Sequence, residues 1–272
     1  EATKIVHLDE DPYQIGKNYT VEIGLVGGTK SGLHELGHLI HELQTPEHDE
    51  RCRNRRARLA EHREATMQRC QARIKQELDI RPMTPSVAMS SIARVLPANV
   101  AVVEEAVTTT NTMLERLGAL RNTDGYFGHR GWGLGWGLGC AIGAQLAWPE
   151  RPVLGLIGDG AALYGIQGLW TAARYRIPVT IVICNNAQYQ ILKIGARGLN
   201  LGEAMADRYL GLDITGPEVD FVGLATSLGV SACRVREPDE LSDTVKTALE
   251  SDDPQLIDVT ISRESEGKLQ YG

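Results

Sequence analysis

Residues 153–186 read VLGLIGDGAALYGIQGLWTAARYRIPVTIVICNN, and this stretch decides the fold. Val153–Ile157 is a short unbroken apolar run, the mark of a strand buried on both faces. Gly158-Asp159-Gly160 ends it. A helix-like stretch, Tyr164–Tyr175, follows and is closed by Pro178; a second apolar run, Val179–Cys184, then ends at Asn185-Asn186. The pattern is one βαβ unit, and it brings polar groups to the carboxyl tips of two neighbouring parallel strands, where open α/β sheets bind ligands. Asp and Asn offer hard oxygen donors, which suit Mg²⁺ or Ca²⁺ and suit zinc poorly. The glycines let the chain turn tightly and bring backbone N–H groups at a helix start up to an anion. The chemistry that fits is a metal-plus-diphosphate site.

Outward from this unit, helices and strands keep alternating. The spacing predicts a helix over Ser86–Leu96 that starts near Thr84 or Pro85, a strand over Val100–Val103, and helices over Asn111–Leu120 and Gly139–Ala147. Further on it predicts the helix Asp220–Leu228, the strand Ser231–Val235, the helix Asp239–Glu250 and the strand Leu256–Ile261. Continuous apolar strands between amphipathic helices indicate an α/β fold, a doubly wound, mostly parallel sheet covered on both faces. Residues 1–43 form a smaller α/β piece: a strand (Lys4–Leu8), a turn at Asp11-Pro12, a short strand (Thr20–Ile23) and a helix with Leu33, Leu36, Ile40 and Leu43 on one face. Residues 44–80 are densely charged, and acids recur among the bases with no aromatic residue between them. That composition favours a solvated linker helix with i,i+4 pairs over a basic nucleic-acid arm. The expected division is 1–43, 44–80 and 81–272.

The chain has 272 residues, 42% of them hydrophobic, enough for a sizeable core. Its net charge of −7 disfavours a nucleic-acid or membrane-surface role. Cys52, Cys70, Cys140, Cys184 and Cys233 are scattered, odd in number and free of any Cys-x-x-Cys, which fits a reducing cytoplasm. No apolar run approaches the roughly 18 residues of a membrane span. The chain opens on a strand already under way, with no initiating Met, as though cut from something longer.

The βαβ stretch resembles the cofactor motif of thiamine diphosphate (ThDP) enzymes, a GDG followed after one helix by NN. VVEEAVTTTNTMLERL, GWGLGWGLGCAIGAQLAWPER and YLGLDITGPEVDF extend the resemblance over nearly the whole chain, and favour the benzoylformate decarboxylase branch of the 2-oxoacid decarboxylase and acetolactate synthase superfamily. The resemblance makes residues 81–272 the diphosphate-binding domain and residues 1–43 the end of the middle domain. It implies that Asp159, the Asn186 side chain and the Gln188 carbonyl hold Mg²⁺ (or Ca²⁺), with diphosphate oxygens and water completing the octahedron. Gly158, Gly160 and Ala161 would meet the phosphates, with Ala161 where relatives often carry serine. Thr108 or Thr109, after a strand tip, would add hydroxyls, although a helix cap explains one threonine equally well.

The segment His129–Gly139 has glycines at 131, 133, 135, 137 and 139 but misses the dinucleotide G-x-G-x-x-G spacing. By resemblance it passes beneath the cofactor: the Trp132 carbonyl would accept the pyrimidine amino group, Gly133 would follow it, and Leu134 would be the wedge that bends the cofactor. Tyr189, Gln190 and Ile191 would continue the cofactor surface, and Leu192 and Gly195 would border the substrate. Gly195 stands where benzoylformate decarboxylase has a large aromatic, which enlarges the pocket or leaves another domain to fill it.

The implied activity is non-oxidative decarboxylation of a 2-oxo acid to an aldehyde, or carboligation with a second carbonyl compound. The activating glutamate of the family lies on a separate pyrimidine-binding domain, so it matches no residue here; Glu104 and Glu105 belong to the diphosphate domain. The chain therefore supplies half of an active site, completed by a pyrimidine-binding domain or subunit in a homodimer or tetramer. An acetolactate-synthase-like carboligase is the alternative, sometimes with FAD, whose contacts would fall on middle-domain sequence outside this chain. A non-catalytic ThDP-binding subunit is a reading from another class. So is a zinc metalloprotease: His34-Glu35-Leu36-Gly37-His38 matches HExxH, with Glu35 as general base and His41, Glu61 or His62 as third ligand. Against it, His34, His38 and His41 share a face opposite the leucines and point to water.

Overall fold

The computed structural model describes residues 3–128 and 133–263, so Trp132 lies outside the described residues. The chain packs as two units, Glu1–His62 and Arg63–Gly272.

The first unit contains the parallel pair β1 (Val6–Asp9) and β2 (Ile23–Val26), then α1 (Thr29–Glu42). Both strands start later than the apolar runs suggest, because the parallel register aligns Val6 with Ile23. No residue of α1 is buried; its apolar positions Leu33, Leu36, Ile40 and Leu43 are 41–73% exposed. The long helix α2 (Pro46–Glu77) crosses from the first unit into the second, and only Cys70 on it is buried. Its charges pair locally, as in Arg73 Nε to Glu77 Oε1 at 2.6 Å.

The second unit holds the rest: α3 (Pro85–Ala93), β3 (Ala101–Glu105), α4 (Val107–Thr110), α5 (Met113–Arg116), β4 (Tyr126–Gly128) and α6 (Trp136–Ala147). These are followed by β5 (Val153–Gly158), α7 (Asp159–Ala162), α8 (Gly168–Arg174), β6 (Thr180–Asn185), α9 (Gln190–Gly198) and α10 (Gly202–Met205). Then come α11 (Phe221–Ser227), β7 (Ser231–Val235), α12 (Pro238–Leu249) and β8 (Gln255–Thr260). The start of α3 is capped as its sequence suggests, with Thr84 Oγ1 accepting the Val87 N–H at 3.3 Å and Pro85 in the first turn.

Two predicted helices are shorter than expected, and each is preceded by a separate short helix that was not expected. Asn111 and Thr112 adopt left-handed conformations (φ 35° and 58°), which ends α4 and starts α5 where one helix over Asn111–Leu120 was expected. The stretch Tyr164–Tyr175 is helical only from Gly168, because Gly165 sits so close to Gly135 that an added Cβ would lie 2.9 Å from the Gly135 carbonyl oxygen.

The six strands of the main sheet are all parallel, in the order β4-β3-β5-β6-β8-β7. Only β4 was not foreseen, since it is three residues long and carries no apolar run. Each central strand divides its side chains between two cores. Leu154, Leu156, Val182, Ile257 and Val259 face Met89, Ile92, Leu241 and Val245. Val103, Ile157, Ile181 and Ile183 face Leu138, Ala141, Leu169, Phe221 and Ala225. Burial on both faces explains why these strands read as unbroken apolar runs. From β3 the chain steps to β4 on one side and returns to β5 on the other, so the winding reverses between β3 and β5. A crevice at the strands' carboxyl ends is the expected ligand position at such a reversal.

Candidate functional site

A cavity of about 290 Å³ opens at that reversal. The tip of β3 contributes Glu105, Ala106, Val107, Thr108 and Thr109; the tip of β5 contributes Gly158, Asp159, Gly160 and Ala161; the tip of β6 and the start of α9 contribute Cys184, Asn186, Gln188, Tyr189, Gln190, Ile191 and Leu192. Gly133, Leu134 and Trp136 complete the lining. Thus every cofactor residue expected from sequence lines one cavity, save Trp132, which is not described. Leu192 lines it as well. Gly195 does not: it lies farther along α9, where an added Cβ would meet open space.

Asp159 is 4% exposed. Its Oδ1 accepts the Gly160 N–H at 2.8 Å, while Oδ2 is buried with no hydrogen-bond partner. Burial pushes the carboxyl up to about 6, against the pull of the Gly160, Ala187 and Gln188 backbone. A buried carboxylate oxygen left unpaired is costly, and a cation would satisfy it. Asn186, one strand away, is 7% exposed, and its Oδ1 accepts the Gln188 N–H at 3.2 Å. A carbonyl oxygen has a second lone pair free for a cation. Among the described lining residues there are two carboxylates and no Lys, Arg or His. A diphosphate entering this cavity would meet no cationic side chain among those residues, and the donor set is hard oxygen, which fits Mg²⁺ or Ca²⁺. The Gly160 N–H is spent on Asp159, a use the sequence does not reveal. A Cβ at position 160 would lie 2.6 Å from the Tyr189 ring, so a larger residue there requires that ring to move.

Glu105 is the lining residue that sequence reasoning set aside. It is 5% exposed, with Oε1 accepting the Gly135 N–H at 2.6 Å and Oε2 accepting the Gly137 N–H at 2.8 Å. The carboxylate thus clamps the start of α6, the favourable end for a negative charge. Gly135 has φ 94°, and an added Cβ would lie 2.4 Å from Tyr164 Cβ, so this turn admits only glycine. The clamp fixes the segment carrying Leu134, which stands 49% exposed at the cavity wall. The available signal was an acid ending an apolar strand (AVVEE); its partners lie about 30 residues on and share no pattern with it. Glu104, its neighbour, points elsewhere and accepts hydrogen bonds from Thr110 and Tyr126. Cys184 sits buried beside Asp159, and burial followed by the Asp159 and Glu104 charges pushes its thiol up, which keeps it protonated.

His34 and His38 lie on α1, with their Nε2 atoms 3.1 Å apart and the rings edge to face. Both are exposed, as is His41. No group of three His, Cys, Asp or Glu side chains able to hold a metal occurs among the described residues, so His41, Glu61 and His62 complete no zinc set there.

Residues 106–259 match the family model described as "Thiamine pyrophosphate enzyme, C-terminal TPP binding domain". Benzoylformate decarboxylase of Pseudomonas aeruginosa is 38% identical over 65% of this chain and 32% of its own length. An acetolactate synthase large subunit of Parasynechococcus marenigrum is 30% identical over 96% of the chain and 40% of its own length. Among solved structures, a thiamine diphosphate-dependent 4-hydroxybenzoylformate decarboxylase of Rhodococcus jostii superposes with a TM-score of 0.62 at 37% identity, over 68% of this chain and 34% of that one. The chain thus spans only a third to two fifths of the length of these relatives. The match covers every lining residue of the cavity but Glu105, and the chain belongs to the thiamine pyrophosphate enzyme family, of which it carries the C-terminal TPP-binding domain.

Proposed function

We propose that this chain is the diphosphate-binding half of a ThDP- and Mg²⁺-dependent enzyme that removes CO₂ from 2-oxo acids, as benzoylformate decarboxylase does. The observation that carries the reading is the buried, orphaned Asp159 Oδ2 in a cavity with no basic side chain among its described lining. Asp159, Asn186 and the Gln188 carbonyl would hold the cation, and through it the diphosphate. Ala161 offers a backbone N–H to a phosphate oxygen, and Thr108 and Thr109 offer hydroxyls. When bound, ThDP supplies a nucleophilic carbon and an electron sink. The protein contributes position: Leu134, on the segment that Glu105 holds, would press against the cofactor, and Leu192 would border the substrate. The activating acid comes from a pyrimidine-binding domain or subunit, in a homodimer or tetramer. The five free cysteines support a cytoplasmic setting, and no helix of the described residues is long and apolar enough to cross a membrane.

The acetolactate synthase relative supports carboligation as the second reading. Both are tested on the full-length protein with ThDP, Mg²⁺ and, in turn, pyruvate, phenylpyruvate and benzoylformate, by measuring CO₂ and product. Aldehyde as the main product supports the decarboxylase, and a hydroxyketone supports the carboligase. CO₂ release that ignores the removal of Mg²⁺ or ThDP would sink both.

A further inference from the structure

Asp258 lies on β8 with no exposed surface, in register with Ile183 of β6. A carboxylate with no exposed surface needs partners, and two side chains supply them. Arg234 Nε donates to Oδ2 at 2.8 Å, and Asn185 Nδ2 donates to Oδ1 at 3.0 Å. Asn185 in turn accepts the Ala187 N–H on its Oδ1 at 3.1 Å. The orientation of the amide is forced, because a carboxylate accepts only and a backbone N–H donates only. Ala187 has φ 54°, a left-handed conformation that a residue with a Cβ disfavours, so the turn needs external bonds to hold it. Its carbonyl supplies one more, accepting the Ile214 N–H at 2.9 Å. This turn carries Asn186 and Gln188 into the cavity that Asp159 lines.

We propose that Asp258, anchored by Arg234, is the positioning residue of the cation site: through Asn185 it fixes the 185–188 turn that presents Asn186 and Gln188 to the metal. The inference deepens the proposed function and rests on it. Groups that orient metal ligands typically change metal affinity about 10–100-fold when lost. The effect should therefore fall on metal affinity rather than on chemistry once the site is filled.

The test uses the full-length protein and reads ThDP binding by intrinsic fluorescence as Mg²⁺ is titrated, beside turnover at saturating Mg²⁺ and ThDP. For D258N the expected rise in half-saturating Mg²⁺ is about 10–100-fold, with saturated turnover within about twofold of the parent. N185D, which faces one carboxylate with another, should lose affinity similarly. The double variant N185D/D258N exchanges donor and acceptor, restores the bond between the two positions, and should recover most of the affinity. A purely structural role for Asp258 predicts instead that the double variant is worse than either single one, and that outcome overturns the proposal. If D258N does not fold, N185D decides: a parental half-saturation overturns the proposal and a raised one supports it. A parent that binds no ThDP with Mg²⁺ overturns the proposed function and this inference together, whereas a binding parent with an indifferent D258N overturns the inference alone.

Discussion

Helix α1 and the tips of β5 and β6 both carry residues that pattern rules associate with a metal. On α1 the two imidazoles are exposed, hydrogen-bond to each other, and gain no third ligand among the described residues. At the strand tips Asp159 is buried and one of its oxygens is left without a partner. The first pair is open to solvent, so a cation adds little there; Asp159 Oδ2 is buried and accepts no hydrogen bond, the backbone N–H groups near the carboxyl only partly offsetting its burial, so a cation adds much. A short metal motif predicts binding to the extent that its surroundings leave the ligands in need.

The strongest attempt to break this contrast is Asp159→Ala. Removing a charged ligand should raise half-saturating Mg²⁺ for ThDP binding beyond the about 10–100-fold typical of losing a supporting group. Parental titration curves for this variant would remove the cation from the strand tips. Leu134→Ala comes next, and it probes geometry rather than affinity. Turnover should fall up to about 100-fold, as reacting groups displaced by ~1 Å commonly lose, while ThDP affinity stays close to parental. Recovery of the rate with excess ThDP would reduce Leu134 to packing.

Glu105→Gln separates the cavity's two carboxylates. Its charge serves two backbone N–H groups, so the variant should lose about 1.5–3 kcal/mol of stability in denaturant unfolding while half-saturating Mg²⁺ is unchanged. A large shift in the Mg²⁺ titration would instead make Glu105 part of the cation site. The smallest effect belongs to the double variant His34→Ala, His38→Ala. Activity and melting temperature should match the parent, and loss of activity together with loss of stoichiometric zinc would reverse the contrast altogether.

The second unit was readable because its central strands are buried on both faces. Val153–Gly158 and Thr180–Asn185 fall where their apolar runs predict, and the Asp159 and Asn186 tips meet at one cavity as the βαβ spacing requires. Local pattern failed where the backbone serves a distant neighbour. The helix expected from Tyr164 starts only at Gly168, past the point where Gly165 lies against Gly135, and the one expected from Asn111 starts only at Met113, after left-handed Asn111 and Thr112 that no periodicity announces. Glu105 and Asp258 were overlooked for a related reason. Each is an acid within a largely apolar strand, and the groups that explain them are backbone amides or side chains far along the sequence. An acid inside a buried strand was the one signal that pointed to both.

For a diphosphate ligand, the cavity's lack of described basic side chains has a thermodynamic consequence. If the proposed cation site holds Mg²⁺, cation and cofactor are heterotropic ligands of one another: whatever factor Mg²⁺ adds to the affinity for ThDP, ThDP adds to the affinity for Mg²⁺. A site that supplied its own lysine or arginine would weaken that reciprocity by neutralising the phosphates in advance. Here occupancy should rise as a joint function of both concentrations, so that a cell short of either one empties the site of both.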